Sequence, residues 1–209
     1  MLGDSERPSG PPVSAVVLAG GLSKRLGRDK ALLEVQGQPL MARTVEKLAA
    51  LSDDLLIVTS DPARYAPLGL PARLISDEQP GVGSLMGIYS GLRAARHTHA
   101  LAVACDMPFL NLPLLRYMVP LADSYDVVIP RLGGFTEPLH AIYGKSCLPF
   151  MAGLLEQGRR RIIAFFDQVR VRYVEEGEIE RFDPHHLSFL NVNTPGDWER
   201  VQELLGTSL

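Results

Sequence analysis

Cysteine is scarce in this chain, and that scarcity removes several classes of protein. Cys105 and Cys147 are the only two among 209 residues. A pair so placed offers neither a zinc cluster nor a disulfide scaffold. A reducing, cytoplasmic setting is therefore expected. No apolar run approaches the ~20 residues needed to span a bilayer, so no membrane association is expected. The first twelve residues, MLGDSERPSGPP, contain no apolar stretch. They are expected to form a flexible tail, neither a signal peptide nor an anchor. An excess of basic residues is missing too: the formal net charge is −3. A global field for nucleic acid is thus excluded, and any anion site must be local. The five histidines show no metal-ligand spacing, and His97, His185 and His186 read as surface residues.

What is present is alternation. Short apolar runs at Val13 to Leu18, Leu55 to Thr59, Arg73 to Ser76, Leu101 to Ala104 and Asp126 to Pro130 read as strands. Glu137 to Tyr143 and Val169 to Val174 read as further strands. Between them lie helical patterns: one opened by Pro39, then Ser84 to Arg96, Pro113 to Leu121, Ser146 to Gln157, Arg160 to Gln168 and Pro195 to Leu205. Strands alternating with helices predict an α/β fold of three layers, Rossmann-like, with a mostly parallel twisted sheet. No internal linker breaks residues 13–209, which read as one domain. Beyond about Pro130 the alternation loosens, as expected of an edge region built around a second substrate.

The stretch VVLAGGLSKRLGRDK is the most informative. A buried strand runs into Gly20 and Gly21, then into Lys24, Arg25, Arg28 and Lys30. In open α/β sheets ligands bind beyond the carboxyl ends of the strands. Glycines there let backbone N–H groups turn toward an anion. Arg25 suits a bidentate grip on phosphate, and Lys30 a point charge. The alternative is a solvated basic turn. Known phosphate loops do not match. The P-loop spacing fails because Arg25 stands five residues after Gly20 and Leu26 five after Gly21; the dinucleotide fingerprint fails at Leu22.

Leu18-Ala19-Gly20-Gly21, followed by Arg25-Leu26-Gly27-Arg28-Asp29-Lys30 and the later GQPL, resembles the signature of the molybdenum cofactor guanylyltransferase family of nucleotidyltransferases. Leu26 replaces the family's usual Met, a volume-conserving exchange. GVGSLMG resembles its G-P-L-x-G loop, with Ser84 in place of the proline. ACDMPF resembles C-D-x-P, EPLHAIY resembles E-P-L-x-A-x-Y, and FLNVNTPGDW resembles N-[IV]-N-T-P.

The resemblance implies a reaction: GMP passes from GTP to the terminal phosphate of molybdopterin or the molybdenum cofactor, and pyrophosphate leaves. It implies Mg²⁺ held by Asp106, with Arg25, Lys30 and Asp106 as catalytic residues. From the residues alone, Asp106 is either a cation ligand at a strand end or a turn residue before Pro108. Nucleotide contacts are expected from Leu18, Ala19, Gly20, Gly21, Lys30, Thr59, Asp77, Gly83, Leu85, Gly87 and Asp106. Thr59 stands where the family often has Asn. Gly83 to Gly87 is either a nucleotide loop or a plain helix entry. Acceptor contacts are expected from Glu137, His140, Asn191 and Asn193. The two asparagines, read as two apart on one strand, would face the same way. They would read a polar heterocycle or, with Thr194, cap the next helix. Arg159, Arg160 and Arg161 are either a phosphate or pterin contact or a solvated basic helix start, although cations there oppose the helix dipole. The nucleotide half is expected over about residues 13–110 and the acceptor half over about 111–209. The nucleophile is a phosphate monoester, largely dianionic at neutral pH (second pKa about 6), so no general base is required. Rival readings are a molybdopterin cytidylyltransferase, another small-molecule nucleotidyltransferase, and a nucleotide-binding protein without turnover. A transient contact with cofactor-biosynthesis proteins or apo-molybdoenzymes is compatible with catalysis.

Overall fold

The structure, a computed structural model, describes residues 10–19 and 29–206. An eight-stranded sheet forms the frame. Its strands are β1 (Val13–Leu18), β4 (Leu55–Thr59), β5 (Arg73–Ser76), β6 (His99–Ala104), β7 (Val127–Leu132), β8 (Phe135–Thr136), β9 (His140–Gly144) and β10 (Val171–Glu175), and β2 (Glu34–Val35) with β3 (Gln38–Pro39) makes a separate small hairpin. The order across the sheet is β10-β7-β9-β6-β1-β4-β5, with β8 paired to β7. β1 pairs in parallel with β4 and β6, β4 with β5, and β7 with β10. β9 runs antiparallel to both β6 and β7. The carboxyl ends of β1, β4, β5, β6, β7 and β10 therefore share one edge of the sheet, and the predicted mostly parallel α/β architecture is the one observed.

Alternation along β1 divides the core in two. Val13, Ala15 and Val17 face one layer, with Met41, Val45 and Leu48 of α1 (Leu40–Ala49) and Leu114, Leu115 and Met118 of α4 (Leu112–Leu121). Val16 faces the other, with Leu85, Ile88 and Leu92 of α3 (Ser84–Ala94) and Met151 and Leu154 of α5 (Leu148–Glu156). Period-two strands thus feed helices on both faces. α3 lies close to the sheet because Gly91 has no side chain: a Cβ there would stand 2.4 Å from Val16 Cγ1. Among the described residues the remaining α-helices are α2 (Pro62–Tyr65), α6 (Glu176–Ile179) and α7 (Pro195–Gly206). Val201 of α7 packs with Leu33, Val35, Leu40 and Val192 in a third cluster, which sets α7 against the segment of the β2–β3 hairpin.

Several expectations need correction. The helix predicted over Arg160 to Gln168 is a 3₁₀ run, Ile162–Gln168, with no side-chain cap. Three arginines at its start oppose the helix dipole, and Phe165 and Phe166 are held in the core by the tighter turn. The strand read from Glu137 begins at His140, because residues 137–139 form a turn. Asn191 and Asn193 lie on no strand. Their segment is fixed by the Val192 N–H donating to the Asp106 carbonyl at 3.0 Å and by Asp197, which accepts the Asn193 and Thr194 N–H groups at 2.9 and 2.8 Å. Of the tail, residues 10–12 lie along Val119 and Pro120 of α4; residues 1–9 fall outside the described residues.

Candidate active site

A cavity of about 350 Å³ opens at the carboxyl edge of the sheet. Its floor is Leu18 and Ala19 at the end of β1 and Val58 in β4. Asp77 follows β5, and Cys105 and Asp106 follow β6. Gly81, Gly83, Ser84 and Gly87 bring in the loop that enters α3. Asp29, Lys30, Tyr65 and Leu139 complete the wall.

Lys30 is the centre of the polar geometry. It opens a 3₁₀ turn, Lys30–Leu32, capped by Asp29, whose Oδ1 accepts the Ala31 N–H at 3.1 Å. Lys30 Nζ donates to Asp106 Oδ2 at 2.9 Å and to Asn193 Oδ1 at 2.6 Å. Three distant segments thus meet at one ammonium. An ammonium has three N–H donors, and among the described residues the third has no partner.

Burial sets the chemistry of the neighbouring groups. Desolvation pushes the Asp77 carboxyl above the usual range, against the opposing hydrogen bond from the Gln79 N–H. The Cys105 thiol is pushed far up by burial, then by the Asp106 and Asp29 charges. Burial, with the Asp29 carboxylate beside it, also pushes the Tyr65 hydroxyl up. Both groups stay protonated, so neither is an anionic nucleophile.

The expected nucleotide residues divide. Leu18, Ala19, Lys30, Asp77, Gly83, Gly87 and Asp106 all line the cavity. Leu85 is buried in the core between α3 and the sheet, leaving only its backbone near the loop. Thr59 is also buried, and its Oγ1 accepts the Asp61 N–H at 3.1 Å. Gly20, Gly21 and Arg25, with Lys24 and Arg28, lie outside the described residues.

Among the acceptor residues, Asn193 reaches Lys30, whereas Asn191 Nδ2 donates to the Phe189 carbonyl at 3.3 Å. The two amides therefore do not share a face. His140 has no exposed surface, and its ring packs on Phe189 with centroids 4.9 Å apart. An inward-facing strand position leaves it no atom for a ligand. Glu137 is half-buried, and desolvation pushes its carboxyl up. Its neighbours Thr136 and Pro138 line a second depression of about 320 Å³, with Arg160, Arg161, Ile162 and Ile163. Ser84 borders both hollows.

Residues 15–172 match the model of the MobA-like NTP transferase domain. The chain belongs to the MobA-like NTP transferase domain family. The chain is similar to the molybdenum cofactor guanylyltransferase of Desulfosudis oleivorans, 36% identical over 192 residues, covering 91% of this chain and 94% of that protein. The protein of the same name from Syntrophotalea carbinolica is 36% identical over 189 residues, covering 90% and 89%. Among solved structures, molybdopterin-guanine dinucleotide biosynthesis protein A from Archaeoglobus fulgidus superposes with a TM-score of 0.81 at 29% identity, covering 93% of this chain and 99% of that one. The family resemblance seen in the motifs is borne out, and the chain is a nucleotidyltransferase. Tyr65, Arg64 and Leu139 were not singled out in the sequence. Tyr65 and Arg64 sit in a four-residue helix, too short for periodicity to reveal.

Proposed function

We propose that this protein transfers GMP from GTP to the terminal phosphate of molybdopterin, releasing pyrophosphate and forming the guanine dinucleotide. The observation that carries this reading is the convergence of Lys30, Asp106 and Asp77 on one cavity at the carboxyl edge of the sheet. Relatives that align over about nine-tenths of the chain bear the matching name. On this reading the nucleotide half spans about residues 13–110 and the acceptor half about 111–209. The reaction is set in the cytoplasm, and any contact with cofactor-biosynthesis proteins or apo-molybdoenzymes is transient.

The donor set fits Mg²⁺. Asp106 Oδ1 makes no hydrogen bond among the described residues, and Asp77 is a second carboxylate on the same cavity. Hard oxygen donors suit a hard cation. Asp106 would hold it, and when bound it neutralises phosphate charge. The chain supplies the rest. Lys30 offers its remaining N–H to a phosphate oxygen, as a point charge fixed by Asp106 and Asn193. Gly83 and Ser84, at the start of α3, line the cavity, and the N–H groups of a helix's first turn suit an anion or a base edge. The acceptor phosphate is itself the nucleophile, so alignment and charge neutralisation are the catalytic contributions. The depression bearing Arg160 and Arg161 is the acceptor side. It meets the nucleotide cavity at Ser84, so the two substrates can face each other there.

Thermal shift with GTP, CTP, ATP and UTP, each with Mg²⁺, followed by turnover with molybdopterin, tests this reading. GTP alone should stabilise the protein, and GTP with molybdopterin should yield the dinucleotide and pyrophosphate. A shift with CTP alone, or GTP binding with no product, would overturn it.

A further inference from the structure

Asp29 stands immediately before Lys30, and its carboxylate is gripped from two elements. Oδ1 caps the turn through the Ala31 N–H. Oδ2 accepts the Tyr65 hydroxyl at 2.9 Å and Arg64 Nη1 at 3.1 Å. Both partners belong to α2, which follows β4. That helix is fixed in its turn: Asp61 accepts the Arg64 N–H at 3.3 Å, and the Asp61 N–H donates to Thr59 Oγ1 at 3.1 Å. The Tyr65 ring is buried in the core beneath. A continuous set of contacts therefore runs from the end of β4, through α2 and Asp29, to the turn that carries Lys30, and ends at Asp106 and Asn193.

Asp29 and Tyr65 both line the cavity proposed to receive a polyphosphate. A carboxylate there opposes an incoming anion unless its charge is balanced and its oxygens are occupied. Arg64, whose Nε also lies 3.4 Å from Asp61 Oδ2, offsets part of its charge, and Tyr65 and Ala31 occupy its oxygens. What the grip provides is rigidity for the lysine next door. We infer that Tyr65 and Arg64 are positioning residues for the phosphoryl chemistry, holding through Asp29 the turn that aims Lys30 into the cavity. The inference rests on the guanylyl-transfer reading for its kinetic consequence, but not for its geometry.

Tyr65→Phe keeps the buried ring and removes only the hydroxyl; Arg64→Gln alters an exposed side chain. Two measurements decide. The first is the single-turnover rate with GTP and molybdopterin in Tyr65→Phe, Arg64→Gln, Asp29→Asn and the Tyr65→Phe/Asp29→Asn double variant. The expected loss is about tenfold for Tyr65→Phe, since a misplacement of ~1 Å costs up to ~10²-fold. The double variant should be no slower than Asp29→Asn alone, because both act through one contact. The second is the rate at which an amine-acylating reagent labels Lys30, followed by mass spectrometry on the substrate-free protein. Labelling should rise severalfold in Tyr65→Phe and Arg64→Gln, with melting temperatures little changed. Unchanged Lys30 labelling in both single variants overturns the inference, whether or not their rates fall. Independent, multiplying losses in the double variant overturn it too. Wild-type protein that fails to turn over GTP sinks the guanylyl-transfer reading alone, and the labelling then still decides the positioning claim.

Discussion

Lys30 Nζ lies 2.9 Å from Asp106 Oδ2 although 76 residues separate the two, and each is less than one-fifth exposed. β1 and β6 are direct neighbours in register, Leu18 opposite Ala104, so the segments that follow them leave the same edge side by side. Asp106→Ala should keep the fold and lose activity. Its carboxylate sits beyond the strand end, and no core packing depends on it. A loss of at least ~10²-fold in kcat/KM is expected, on the scale of removing one preorganised electrostatic contact. The melting temperature should move by only a few degrees. Circular dichroism beside steady-state kinetics checks both halves, and a near-wild-type rate would remove Asp106 from the chemistry.

The frame of the molecule was readable for a physical reason. Leu55–Thr59 is an apolar and β-branched run between Asp54 and Ser60, Arg73–Ser76 carries Leu74 and Ile75 between polar residues, and both strands end at the predicted positions. Lys30 read as an anion-binding cation because it follows the carboxyl end of a buried strand, whereas the residues alone left Asp106 either a cation ligand or a turn residue, and its proposed role came from the family resemblance. Asn191 and Asn193 were misread because spacing alone cannot tell a strand from a loop held by long-range bonds. What orders that segment is Asp106 and Asp197, one of them far away in sequence. The Asp29 grip was hidden for a similar reason: nothing local in the Pro62–Tyr65 segment shows that its tyrosine and arginine turn toward residue 29.

Asp54 anchors the opposite edge of the sheet. Its side chain is almost wholly buried and accepts from Ser14 Oγ at 2.6 Å, the Arg96 N–H at 2.8 Å and Arg73 Nη2 at 2.8 Å. Burial pushes the carboxyl up, but the bonds from Ser14, the Arg96 backbone and Arg73 outweigh it and hold it at about 2. A depressed carboxyl contributes stability that is present above its unfolded pKa and lost as pH falls through the folded one. That contribution should therefore fade from about pH 4 down to about pH 2. Asp54→Ala leaves the Ser14 hydroxyl and the Arg96 N–H without this acceptor, while the exposed Arg73 and Arg96 side chains keep their bonds to the Ala94 and Asp53 carbonyls, and should cost about 1–3 kcal/mol. Urea unfolding at neutral pH measures it, with GTP affinity of the folded fraction unchanged.

His140 makes stability sensitive to milder acid. The ring is fully enclosed, and among the described residues neither nitrogen has a hydrogen-bond partner. Burial lowers its pKa to about 4, against a small opposing effect of the Asp183 charge. The unfolded chain, with a histidine near 6.5, binds the proton more readily. Stability is therefore full above about pH 6.5 and falls as pH drops toward 4, by up to about 3 kcal/mol. His140→Leu should flatten the melting temperature between pH 6.5 and pH 4 relative to wild type. An unchanged slope would show that other groups set the acid response.

Gly91 tests the closeness of α3 to the sheet. A methyl there meets Val16 Cγ1 at 2.4 Å and Val58 Cγ2 at 3.1 Å, both on buried β-branched residues with little freedom to yield. Gly91→Ala gains helix propensity but overpacks the core, and the net cost should be about 1–3 kcal/mol. For a chain of this size each kcal/mol shifts the midpoint by roughly 2–4 °C, so calorimetry resolves the effect. A variant as stable as wild type would mean that α3 can lift away, and the loop from Gly81 to Gly87 with it.

Arg160 and Arg161 separate the two substrates kinetically. They line the depression beyond Ser84 and not the cavity that holds Lys30 and Asp106. If that depression takes the acceptor, replacing both arginines by Ala should raise the KM for molybdopterin about tenfold or more, as loss of charge-assisted contacts to a phosphate does. GTP affinity, measured by calorimetry without acceptor, should stay within about twofold of wild type, since uniform loss of one substrate's binding leaves the other untouched. The reverse result, weakened GTP binding with acceptor KM unchanged, would place the triphosphate on the arginines and reverse the order of the two halves across the sheet.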